Sequence, residues 1–90
     1  MADLSKIKIT VVSQTGHCAA GHKVGDEFYT SGMTPKGVCL PAFGAVFPAL
    51  WTLMCGGSFP WAKDQDSERV ACPDASNPVV FEVRRVSSQK

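Results

Sequence analysis

A cysteine and two histidines lie close together in one glycine-flanked segment of the chain. His17 directly precedes Cys18, and His22 follows with three residues between it and the cysteine. A thiolate is the reactive form of cysteine, and a nearby imidazole lowers the pKa of a thiol. Glycines at positions 16 and 21 predict a loop or tight turn, which can bring the sulfur near the His22 ring. We therefore predict Cys18 and His22 as catalytic residues, with Cys18 the most reactive of the four thiols.

The same segment offers a second kind of chemistry, which is metal binding. The Cys-x-x-x-His spacing places two ligands close together, and a tetrahedral zinc site can be completed from the other thiols. The predicted ligands are Cys18, His22, Cys39 and Cys72. The chain contains no Cys-x-x-Cys, however, and zinc usually takes its ligands from two close-spaced pairs. A third interpretation gives the thiols no chemical role, so that each cysteine packs as a small apolar group and the histidines are solvated.

Four further residues are predicted to contact a ligand, namely His17, Asp26, Trp51 and Trp61. His17 supplies a second imidazole beside the thiol. Asp26 can contribute only if it faces the Cys18 loop; otherwise its side chain bonds local backbone amides in a turn. The two tryptophans, together with the phenylalanines at positions 43, 47 and 59, suit the wall of an apolar pocket. The hydrophobic core is nevertheless the default place for these five aromatic side chains, and a pocket wall or an oligomer contact is the alternative.

Alternating apolar residues predict the strands that must position this site. Ile7, Ile9 and Val11 share one face of the first strand, and the last strand has the same period of two. Hairpin connections favour antiparallel pairing, and one helix cannot cover both faces of a parallel sheet. We therefore predict a single α+β domain over residues 1–90, with a mainly antiparallel sheet of about four strands. The predicted strands lie in residues 6–12, 68–72 and 79–86, and residues 24–30 are predicted as a turn that leads into one further short strand. The last two strands form a hairpin.

One helical segment, over residues 41–55, completes the predicted fold. Gly56 and Gly57 provide a natural carboxyl-terminal stop. Pro48 lacks a backbone N–H, which predicts either a kink or a division into two shorter helices.

The apolar residues of this helix cover nearly its whole circumference, whereas a small sheet can cover only one side. Monomers seldom expose large apolar patches, so we predict a homo-oligomer, most simply a dimer. The predicted contacts come from Phe43, Phe47, Leu50 and Trp51. The alternative is that the loop carrying Phe59 and Trp61 folds back over the helix and completes a monomeric core.

The composition of the 90 residues excludes several classes of protein. Nine basic and eight acidic residues give a net charge of +1, which provides no basic surface for nucleic acid. No uninterrupted apolar stretch reaches the roughly 20 residues of a membrane span. The amino end has no basic region followed by an apolar segment. We therefore expect a cytoplasmic protein with reduced thiols and without nucleic acid or membrane as partners.

Five segments carry a family resemblance: residues 16–28 (GHCAAGHKVGDEF), 37–39 (GVC), 56–61 (GGSFPW), 72–74 (CPD) and 77–82 (NPVVFE). As a set they resemble a family of small uncharacterised bacterial and archaeal proteins of about this length. The resemblance implies one compact domain and carries over no catalytic role or cofactor. From the residues themselves, we predict a domain whose Cys/His loop binds or transforms a small molecule through a reactive thiol. The alternatives are a metal-binding protein and a structural or interaction protein with incidental thiols.

Overall fold

Four antiparallel strands and one helix make up the fold in the computed structural model, which describes residues 4–87. The strands are β1 (Lys6–Gln14), β2 (Glu27–Thr30), β3 (Ser67–Ala71) and β4 (Val79–Ser87), and the helix is α1 (Leu40–Met54). The strands form one sheet in the order β2-β1-β4-β3, with every neighbouring pair antiparallel. The predicted α+β class, the antiparallel sheet and the β3–β4 hairpin are confirmed. Residues 1–3, at the amino end used to predict cytoplasmic residence, lie outside the described residues.

The two central strands supply the sheet side of the core. Every second residue of β1 and of β4 points to the same face, so their apolar residues meet one stripe of α1. These strand residues are each at most 1% exposed: Ile7, Ile9, Val11, Val79, Phe81 and Val83. Burial of side chains of this size contributes roughly 1.5–3 kcal/mol each to folding. The alternation that predicted the strands therefore also identified the inward face.

Helix α1 runs without interruption from Leu40 to Met54 with Pro48 inside it, so the predicted alternative of two shorter helices is wrong. Because Pro48 has no backbone N–H, the carbonyl of Gly44, four residues earlier, loses its usual hydrogen-bond donor. Both residues lie on the exposed side of the helix. A proline inside a helix costs about 3 kcal/mol. Burial of the opposite side offsets that cost. At the carboxyl end, Gly56 adopts a φ of +92° and donates to the Leu53 carbonyl, which ends the helix at the predicted glycines.

One half-buried arginine of β4 ties the carboxyl end of α1 to the sheet. Nη1 of Arg85 donates to the carbonyls of Leu53 (2.7 Å) and Gly57 (3.0 Å). Its Nε donates to Asp66 at 2.9 Å, and its Nη2 donates to the carbonyl of Gln65 at 3.0 Å. Four acceptors from two chain segments thus converge on a single guanidinium. Alternation along β4 places Arg85 on the face of Phe81 and Val83, but no local pattern indicated its four acceptors.

The expectation of an aromatic-rich core is corrected in part: Phe43 and Phe59 are half-buried and pack against the core, whereas the other three predicted aromatic residues are exposed. Phe47, Trp51 and Trp61 are 45%, 37% and 69% exposed, whereas Phe81 is fully buried. The inner stripe of α1 instead consists of small and aliphatic residues together with Met54. Within residues 4–87, no helix combines the length and the apolar character needed to cross a membrane.

Candidate functional site

Three distant segments meet at one end of the sheet and enclose an apolar groove of about 280 Å³. They are the loop after β1, the amino end of α1 and the turn between β3 and β4. The groove is lined by Ala19, Ala20, Cys39, Pro41, Ala42, Cys72, Pro73 and Asp74. Its volume lies near the lower end of the range for small-molecule pockets, roughly 300 Å³. We call this the thiol groove, because two of the four cysteines line it.

A hydrogen-bonded contact with the β3–β4 turn fixes the loop after β1. The side-chain oxygen of Asn77 accepts from the backbone N–H of His17 at 2.8 Å, and the N–H of Thr15 donates to the Pro78 carbonyl at 3.0 Å. Asp74 in turn holds Asn77, accepting from its side-chain amide and its backbone N–H. The loop therefore presents Ala19 and Ala20 to the groove from a fixed anchor. The sequence predicted the β3–β4 hairpin but not the role of Asn77, because no local signal links Asn77 to His17.

Gly16 allows this close approach, and we expect Gly16→Ala to destabilise the protein by about 2 kcal/mol. Gly16 has a φ of +75°, and an added Cβ would overlap the side-chain oxygen of Asn77. The matched control is Gly21→Ala, which has a φ of +81° but nothing within 4 Å of the added Cβ. Gly21→Ala should lower the free energy of unfolding by about 1 kcal/mol, which is the cost of placing an alanine in this left-handed backbone conformation. Urea unfolding measures both variants, and equal losses would mean that the Asn77 contact contributes nothing.

His22 is buried and contacts the backbone at Cys39, a residue that lines the groove. It is 5% exposed, and its Nε2 accepts a hydrogen bond from the backbone N–H of Cys39 at 3.2 Å. Its ring packs edge-on against Phe28 and Phe81, with centroid distances of 5.5 and 5.7 Å. Because Nε2 is the acceptor, the neutral ring carries its proton on Nδ1. In this structure His22 positions Cys39, the residue that precedes α1, which is a structural role.

The four thiols occupy different environments. Cys39 is the residue that precedes α1, where its side chain forms no capping hydrogen bond. The sulfur of Cys72 accepts from the backbone N–H of Val79 at 3.3 Å, at the turn end of the β3–β4 hairpin. Cys18 is half-buried against the core, and Cys55 is exposed at the far end of α1. Accessibility alone thus favours Cys55, whereas Cys18 was expected to react first.

The four predicted metal ligands are distributed around this end of the fold. Two of them, Cys39 and Cys72, line the groove, while Nε2 of His22 is engaged by a backbone N–H. Within residues 4–87, no group of three or more His, Cys, Asp and Glu side chains is arranged to hold a metal ion. The spacing between Cys18 and His22 therefore does not create a ligand set in the described part of the chain.

The structure places the four predicted ligand-contacting residues at separate locations, none of them in the lining of the thiol groove. His17 is exposed and is held through its backbone. Asp26 accepts from the backbone N–H of Lys23 at 3.0 Å, in the turn that was its alternative role. Trp61 donates to Glu68 at 2.7 Å beside β3, and Trp51 lies on the outer side of α1.

The chemistry available in the thiol groove is that of sulfur in an apolar setting. Asp74 is the one ionisable carboxylate among its lining residues, and its oxygens already accept from Ser76 and Asn77. The remaining lining consists of alanines and prolines, which offer apolar contact. The groove therefore suits a small apolar molecule, with Cys39 and Cys72 as its polarisable contacts.

Comparison with known proteins adds no relative to this picture. No family model matches the chain, and neither a curated protein nor a solved structure matches it. Function must therefore be inferred from the geometry of residues 4–87.

Proposed function

We propose that the protein binds a small, largely apolar molecule in the thiol groove, where Cys39 and Cys72 contact it. One observation carries this proposal: two cysteines far apart in the sequence line the same groove. Small-molecule sites are typically concave and mostly apolar, with a few chemically distinct groups that orient the ligand. Here the thiols are those groups, because the carboxylate of Asp74 is already bonded within its turn. The proposal keeps the predicted reactive-thiol function but assigns it to Cys39 and Cys72 instead of Cys18.

Disulfide capture tests the proposal while the natural ligand is still unidentified. The protein is incubated with a panel of small apolar and small polar disulfides under mildly reducing conditions. A cysteine thiolate attacks one sulfur of the reagent, forming a mixed disulfide and releasing the other half as a thiol. Groove contacts stabilise the mixed disulfide, so Cys39 or Cys72 should retain apolar fragments at least tenfold better than Cys55. Intact mass and peptide mapping identify the modified residue.

The matched variants for this experiment are Ala20→Trp and Ala75→Trp. Both alanines are exposed, but only Ala20 lines the groove. Ala20→Trp fills the groove and should reduce apolar capture at Cys39 and Cys72 about tenfold, while Ala75→Trp should leave it unchanged. Equal capture at Cys55 and at the groove thiols would contradict the proposal. Stoichiometric metal in the purified protein, lost on Cys39→Ser, would favour the metal-binding alternative instead.

We propose in addition that the protein acts as a homo-oligomer in the cytoplasm. A helix without charged residues, exposed on one side, supports self-association. All four cysteines are free, and free thiols are typical of a reducing compartment.

A further inference from the structure

The outer side of α1 carries an apolar surface that the rest of the described chain leaves open. We call it the outer face, and its most prominent residues are Met33 (81% exposed), Leu40 (81%), Phe47 (45%) and Trp51 (37%). In the loop predicted as its alternative cover, Phe59 packs against the core, whereas Trp61 is exposed and bonds to Glu68. This loop therefore adds to the core but leaves Phe47 and Trp51 exposed.

This face lacks the charges that normally solvate an exposed helix. The 26 residues from position 37 to position 62 contain no Asp, Glu, Lys, Arg or His. Helix α1 accordingly has no acidic residue in its first turn and no basic residue in its last. Depletion of charge and enrichment of aromatic residues and methionine distinguish the core of a protein interface from ordinary surface.

The outer face is uneven as well as apolar, with both projecting side chains and a hollow. Phe43, Phe47 and Trp51 follow one another along the helix, with ring centroids 5.7 and 6.4 Å apart and the last two rings stacked. Between this aromatic row and the Met33 loop lies a hollow of about 100 Å³. Leu40 and Met33 project, whereas the hollow recedes, so one surface presents both a protrusion and a recess.

A surface with both features can pair with itself, because a two-fold contact places each protrusion opposite the partner's recess. The exposed parts of the four prominent side chains leave apolar area on the order of 500 Å². A standard interface buries about 800 Å² on each partner, with an apolar core and a polar rim. The outer face has the size of such a core, and residues around Lys36 and Thr34 can supply the rim.

We propose that the outer face is a two-fold interface in which a second copy of this chain packs its own α1 against the same surface. This inference rests on the proposed homo-oligomer and specifies where the copies meet. The thiol groove lies at the amino end of α1 and shares none of the hollow's lining residues, so it stays open in such a dimer.

Sedimentation equilibrium of the wild type and of matched variants tests the interface. The wild type should have twice the 9.6 kDa chain mass at micromolar concentration. Phe47→Asp and Trp51→Asp should each weaken the dimer at least thirtyfold, because buried aromatic residues dominate interface energetics. Trp61→Ser removes a more exposed aromatic away from α1 and should leave the mass unchanged. Far-ultraviolet circular dichroism confirms that each variant is folded.

Fluorescence gives a readout that does not depend on a disruptive variant. In Trp61→Phe the remaining tryptophan is Trp51, whose emission should shift to the blue as concentration passes the dimer Kd. In Trp51→Phe the emission of Trp61 should not change. If the protein is a dimer but the aspartate variants keep the dimer mass and Trp51 emission does not shift, the assigned interface is wrong. The proposed homo-oligomer would still stand. A 9.6 kDa species at all concentrations would overturn both. If the protein is a monomer and Trp51 emission shifts only when phosphatidylcholine vesicles are added, the outer face binds a lipid surface and not a second copy.

Discussion

His22→Ala is expected to lower the free energy of unfolding by about 3 kcal/mol. The change removes the acceptor for the Cys39 N–H, and an unsatisfied, partly buried donor costs roughly 1–3 kcal/mol. It also removes edge-on contacts with Phe28 and Phe81, worth roughly 0.5–1.5 kcal/mol per aromatic pair. In a domain of this size the Tm should fall by roughly 10–20 °C.

Two variants separate the contributions to this loss. His22→Phe retains an aromatic ring but has no acceptor, so it should lose mainly the hydrogen-bond contribution, roughly 1–3 kcal/mol. His17→Ala is the matched control, because His17 is exposed and is bonded only through its backbone. Its stability should change by less than about 0.5 kcal/mol. If both histidine-to-alanine variants unfolded at the same urea concentration, His22 would have no structural role.

His22→Ala should also alter the thiol groove, because His22 holds Cys39, the residue that precedes α1 and lines the groove. Without this bond, the backbone at Cys39 should exchange its amide hydrogen faster, and apolar disulfide capture at Cys39 should decline. Capture at Cys72 should decline less, since its sulfur is held by the Val79 N–H. The ratio of capture at the two thiols therefore distinguishes local loosening from a general loss of folded protein.

Arg85→Met is expected to destabilise the protein by a similar amount, about 3 kcal/mol. Methionine retains much of the apolar stem but removes the side-chain donor to the Gly57 carbonyl and one of the two donors to the Leu53 carbonyl, which keeps the Gly56 N–H. The Arg85 side chain is only 11% exposed, so water does not readily replace these bonds. Loss of the shared donor should also release the segment that leads into β3. Chemical unfolding measures how much stability Arg85→Met loses. Hydrogen exchange should reveal faster opening at the carboxyl end of α1.

Arg84→Met is the matched control, one residue away on the opposite face of β4. Arg84 pairs with Asp64 and Glu82, and its side chain is 34% exposed. Ion pairs of this kind contribute about 0–1 kcal/mol, so the control should lose much less stability. The backbone N–H of Asp66 and the Arg84 guanidinium hold the pKa of Asp64 below its ordinary value. That pKa should rise in Arg84→Met, which reports removal of the pair.

The free energy of unfolding of Arg85→Lys should lie between those of the wild type and Arg85→Met. Lysine keeps the positive charge but cannot supply the planar set of donors that reaches four acceptors. A lysine variant as stable as the wild type would mean that charge alone accounts for the role of Arg85.

The sequence by itself determined the local elements of this fold. Alternation at Ile7, Ile9 and Val11 identified both a strand and its inward face, because successive side chains of a strand point to opposite sides. Gly56 marked the end of α1, since glycine adopts the left-handed conformation without a Cβ clash. The uncharged sequence of α1 likewise predicted a helix with too much apolar surface for a small sheet to cover.

Only the tertiary structure decided what those elements bring together. Cys18 and His22 are close in sequence, yet the loop geometry directs His22 to the Cys39 backbone, while Cys72 reaches the groove from another hairpin. The strand order β2-β1-β4-β3 places the first and last strands side by side and so joins the loop after β1 to the β3–β4 turn. Periodicity and turn residues report interactions within a few positions of the chain. The groove, the buried histidine and the arginine bridge arise from contacts between distant segments, which no local pattern encodes.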